Sequence, residues 1–134
     1  MTRFLSNQVE IGVNSAKLVD FMGNMNNFRH IMPEQVEEWQ SDEESCSFFI
    51  KNLGKLGMKK DFGDNQSRLQ FLSSETSKVK FTLIFHLNNK TQSSQEVSFE
   101  ILSEMNSFVE MMAKRPLTNF VNILAFNLKQ HFNA

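Results

Sequence analysis

The side chains able to do chemistry are few: three histidines, one cysteine and scattered acids and lysines. His30, His86 and His131 are far apart in the chain, so no two share the spacing that places imidazoles together on one helix face around a metal. No H-E-x-x-H, nucleophile elbow or phosphate loop occurs. Gly54 and Gly57 flank Leu56 without the lysine-serine ending of a phosphate cradle, and they read as a bulge or strand kink. Cys46 alternates with Phe48 and Ile50, which puts it on an apolar face where thiols pack rather than react. Glu37 and Glu38 point to opposite faces of a strand and cannot converge on one bond. His86 lies between Phe85 and Leu87, on the parity opposite the apolar stripe, and reads as a surface or hydrogen-bonded imidazole. Lys60 follows Met58 at the inward spacing and either offers one charge to an interior or marks a strand exit or bulge. His30 precedes a proline turn. No residue is assigned a catalytic role, and no metal or cofactor is expected; His30, Lys60 and His86 are the candidate polar contacts to a bound molecule.

These groups sit in a chain of 134 residues with a net charge of -1, long enough for one domain over residues 1–134 with a sizeable core. That balance gives no electrostatic case for nucleic acid or an anionic membrane, partners that require concentrated basic surface. The acidic run Glu34, Glu37, Glu38, Asp42, Glu43, Glu44 and the basic group Lys51, Lys55, Lys59, Lys60 read as solvated faces of opposite sign. A single cysteine excludes an internal disulfide. No signal-peptide pattern and no stretch of about 18 apolar residues is present, so the expectation is a cytoplasmic protein without stable membrane insertion. The aromatic complement of 14 Phe, one Trp and no Tyr, with eight Met, describes a greasy, deformable interior without a phenol.

Hydrophobic periodicity supplies the scaffold. Val9, Ile11 and Val13 alternate as a half-buried strand; Leu18, Phe21 and Met22 follow as a short helical stripe ending at Gly23. A second helical turn through Phe28 stops before Pro33. Strands are predicted at Glu37–Ser41, Cys46–Lys51, Leu56–Phe62, Ser67–Ser73, Phe81–Leu87 and Val97–Ile101, separated by polar linkers that include Gly63-Asp64-Asn65-Gln66. Leu117, Phe120, Val121, Leu124, Leu128 and Phe132 then share a helix face, with a kink or break expected at Pro116. Phe126 falls opposite that face, exposed or covered by a partner, and a homodimer is one way to cover it. The reading is α+β: a curved antiparallel sheet of six to seven strands wrapped around a long C-terminal helix, with two short helices after the first strand.

The order resembles the helix-grip fold of the START-like superfamily, also called SRPBCC, which includes lipid-transfer domains and polyketide cyclases and dehydrases. The resemblance is carried by Val9-Glu-Ile-Gly-Val-Asn-Ser-Ala-Lys-Leu-Val-Asp-Phe-Met, by Asn26-Asn-Phe-Arg-His-Ile-Met-Pro33, and by Pro116-Leu-Thr-Asn-Phe-Val-Asn-Ile-Leu near the end. It implies a cavity between the sheet and the final helix that binds a small hydrophobic molecule such as a lipid or polyketide. The candidate lining is Phe28, Trp39, Phe48, Met58, Phe71, Phe85, Phe99, Met112, Phe120 and Leu124, each of which also suits a filled core. A cyclase- or dehydratase-like enzyme in the same cavity, or a groove for a protein partner, are the alternatives; the absence of Tyr weakens the enzyme reading.

Overall fold

The computed structural model describes residues 2–51, 53–63 and 67–133, so the linker residues 64–66 fall outside the described residues. The chain opens with two short strands, β1 (Thr2–Leu5) and β2 (Val9–Ile11), where periodicity indicates only the second. Both pair antiparallel with β8 (Ser94–Ser103), but Phe4 faces Ile101 while Val9 faces Val97, a one-residue slip. Ser6 absorbs it: its N–H donates to the Phe99 carbonyl at 2.8 Å, and its hydroxyl accepts from the Phe99 N–H at 2.9 Å. The slip inverts side-chain parity, so Phe4 and Ile11 both reach the core.

Helix α1 (Ser15–Met22) is capped by Asn14, whose Oδ1 accepts from the Lys17 N–H at 2.9 Å, and it buries Leu18 and Met22. A 3-10 turn, Met25–His30, then buries Met25 and Phe28. The meander continues through β3 (Glu37–Ser41), β4 (Ser45–Ile50), β5 (Gly54–Lys60), β6 (Arg68–Ser73) and β7 (Thr82–Thr91) to β8. The spatial order is β1-β8-β7-β6-β5-β4-β3, with β2 also beside β8. Asp42 closes the β3–β4 turn by accepting the N–H groups of Glu44 and Ser45, both at 2.8 Å, and those bonds hold its carboxyl below the usual range. Glu38 takes a left-handed φ of 55° at a register shift in β3, so the simple alternation read for Glu37 and Glu38 is interrupted there.

Helix α2 (Ser107–Asn133) begins at Asn106, whose Oδ1 accepts from the Val109 N–H at 2.9 Å. Of the kink or break expected at Pro116, the break does not occur; the helix is continuous through the proline. Burial of Ala113 and Leu117 on either side of the proline offsets the hydrogen bond it removes. The helix lies against β8, β1, β2 and the 3-10 turn. Asn127 Nδ2 donates to the Ile31 carbonyl at 3.0 Å, and Asn122 Oδ1 accepts from the Asn7 N–H at 2.8 Å. One apolar cluster joins the concave sheet positions to the buried stripe of α2. Among the described residues no helix is long and apolar enough to cross a membrane.

Candidate functional site

The concave face and α2 bring nine of the ten predicted lining residues into the interior. Phe28, Phe48, Met58, Phe71, Phe85, Phe99, Phe120 and Leu124 are buried, and Trp39 is half-buried. Their rings form three groups, one of them Phe85 tilted against Phe99 at 5.1 Å. Trp39 stacks on Phe48 at 5.9 Å between centroids, and Phe48 stacks on Phe120 at 5.8 Å. Phe28 and Phe62 each meet Phe71 edge-on, at 5.1 and 5.2 Å. Met112 is a correction: it is 61% exposed on the first turns of α2. Four residues before Leu117, the buried stripe passes through Ala113, so the neighbouring methionine faces outward.

The three candidate polar contacts are held by other parts of the fold. Lys60 Nζ donates to the Gly23 carbonyl at 2.6 Å, where α1 ends, and pairs with Glu44 at 3.3 Å. A lysine there complements the negative end of the helix, so its role is to tie α1 to the sheet. His30 is exposed and stacks on His131 with centroids 5.6 Å apart, beside the end of α2. His86 points from the convex face and shares Glu100 with Arg3: its Nε2 lies 2.8 Å from one carboxylate oxygen while the Arg3 guanidinium holds the other. Burial, then the nearby Arg68 and Arg3 charges, hold the His86 imidazole below its ordinary value.

An enclosed space lies between sheet and helix, lined by Phe48, Leu56, Met58, Leu83, Leu117 and Phe120 among others, all apolar. Its free volume is about 10 Å³, room for at most one water, so in this conformation the interior is packed rather than open. No titratable side chain lines it. Cys46, which faces the same core, has its thiol pushed up to about 12 by burial and by the nearby Asp42 charge, and is therefore unreactive. Asp61, next to Lys60, accepts from Gln70 Nε2 at 2.9 Å on the surface.

The larger opening was not legible from periodicity. A groove of about 730 Å³ runs where β6 ends, β7 begins and β8 hands over to α2. Leu72, Val79, Phe81, Leu102, Met105 and Val109 supply its apolar wall, and Lys78 and Lys80 flank it. Val79 and Phe81 belong to both the groove and the enclosed space, so they stand between the two. Phe81 shares the parity of Leu83 and Phe85, which marked it as inward; Val79 continues that parity two residues earlier, ahead of the strand.

No protein-family model matches the chain, and no curated protein matches it. Solved structures do match over its full length. XoxI from Bacillus cereus aligns with a TM-score of 0.75 at 8% identity, covering 99% of this chain and 96% of that one. A START superfamily protein from Mycobacterium smegmatis aligns at 0.69 and 9% identity, covering 98% and 97%. The Aha1 dimer from Colwellia psychrerythraea aligns at 0.67 and 12% identity, covering 98% and 96%. Such identities speak to architecture alone: the chain has a helix-grip fold, the architecture it shares with these three structures.

Proposed function

We propose that this protein binds or carries a small hydrophobic molecule. The observation that supports this reading is the pairing of an all-apolar enclosure with an adjoining open groove, both lined by Val79 and Phe81. The groove falls within the roughly 300–1,000 Å³ typical of small-molecule sites. Rotation of Phe81 and the flexible Met58 side chain would join the two spaces, and burial of ligand surface would contribute about 25 cal/mol per Å². Without an acid or base in the enclosure, binding rather than turnover is the chemistry its lining suits.

Native mass spectrometry of the protein from its own host, with organic extraction of retained material, tests the proposal. A discrete adduct of a few hundred daltons, roughly drug-sized, that Phe81→Asp abolishes is the expected result. A bare protein that also leaves Trp39 fluorescence unchanged when titrated with laurate would overturn it. Trp39 is the only tryptophan and stacks on Phe48, which lines the enclosure, so its emission reports on that space.

A further inference from the structure

Four of the six large apolar side chains exposed among the described residues lie within five positions at the start of α2: Phe108, Val109, Met111 and Met112, at 66, 40, 72 and 61%. Solvated helices carry polar residues on their outward face, so this concentration calls for a partner. At about 100° per residue, Phe108, Met111 and Met112 share one outward sector, opposite buried Ala113, and Arg115 falls in that sector one turn later. Lys114 adjoins it, and Val109 turns toward the groove that Lys78 and Lys80 flank. Glu104 lines the same groove and Glu110 lies on the same turns of α2, so of these six charged residues four are basic. The whole-chain charge of -1 averages this local asymmetry away.

From this juxtaposition we infer that the first turns of α2 dock on an anionic lipid bilayer, with Phe108, Met111 and Met112 entering the acyl boundary and Lys114, Arg115, Lys78 and Lys80 meeting the headgroups. The chemistry fits that surface. Unbranched thioethers and a phenyl ring adapt to disordered acyl chains, and long basic side chains keep their charge at headgroup level while their stems cover apolar area. Helix α2 does not span; it lies at the interface with its other face still packed on the sheet. A second copy covering the same patch would bring the basic residues of two chains together, an arrangement that lipid phosphates favour and a twin chain does not.

Vesicle co-sedimentation of the full chain tests the inference, comparing phosphatidylglycerol–phosphatidylcholine vesicles with pure phosphatidylcholine. The expected result is binding at least about tenfold stronger to the anionic vesicles and weakened by salt. The double variant Met111→Asp/Met112→Asp should lose that binding with its thermal melt unchanged, because both side chains are already in water. Lys114→Glu/Arg115→Glu should lose the preference for anionic vesicles. Absence of vesicle binding, equal binding by the methionine variant, or a solution dimer that this variant dissolves would each overturn the inference. The readout is independent of whether any small molecule is bound, so it separates from the carrier reading.

Discussion

Replacing Phe48 by alanine tests whether the interior is a packed core that must open for a ligand or a standing cavity. Phe48 is 1% exposed and lies between Trp39 and Phe120, with both ring pairs nearly parallel at 20° and 17°. Losing the transfer free energy of the ring alone costs about 1.5–3 kcal/mol. In a packed interior the void left behind adds to this, giving about 3–5 kcal/mol for Phe→Ala. With only about 10 Å³ free beside the ring, the packed case applies, and about 4 kcal/mol is expected. At a urea slope of about 2 kcal/mol per molar, the unfolding midpoint falls by roughly 2 M with the slope unchanged. The assay is equilibrium urea unfolding followed by Trp39 emission, with far-UV circular dichroism as a second probe. Benzene at 100 times its dissociation constant should restore about 2.7 kcal/mol by occupying the vacated space. A loss below about 2 kcal/mol with no rescue by benzene refutes the reasoning, since the ring would then have bordered space that was already open.

Three further outcomes follow from the structure. Cys46, with its thiol pushed up to about 12, should not react with a disulfide reagent at pH 8 in the folded protein and should react fully in guanidinium. His86 is held below its ordinary value of 6.5 in the folded state, so its neutral form favours folding above pH 6.5. That contribution is lost as pH falls through the lowered folded-state value; His86→Gln should flatten the stability–pH curve on the acid side, as measured by urea titrations at successive pH. Gly54 holds φ at 90°, a left-handed conformation in which a Cβ crowds the chain, and its added Cβ would also meet Lys78 Cδ at 3.3 Å. Gly54→Ala should therefore destabilise by about 1–2 kcal/mol in thermal or urea unfolding.

What the sequence determined by itself is the architecture and the chemical character of the interior. Periodicity of two marks Leu83, Phe85, Leu87, Val97, Phe99 and Ile101 as inward, and periodicity near 3.6 marks Leu117, Phe120, Val121, Leu124 and Leu128 as one helix face. Those positions have nowhere to bury except against each other, so sheet and helix must meet. Alternation fails where the backbone inserts a residue: the slip at Ser6 hid β1, and the bulge at Glu38 interrupted β3. Tertiary structure alone decided the rest. Lys60 has the inward spacing, yet a carbonyl at the end of α1 and a glutamate claim its ammonium, contacts made with residues 37 and 16 positions away. Met112 and Ala113 are adjacent in sequence, and only the phase of the packed helix sends one to solvent and the other to the core. The groove, the packed enclosure and the cluster of basic and apolar side chains beside them are assembled from segments distant in the chain. Their geometry depends on how closely the helix seats in the sheet, which local periodicity does not encode.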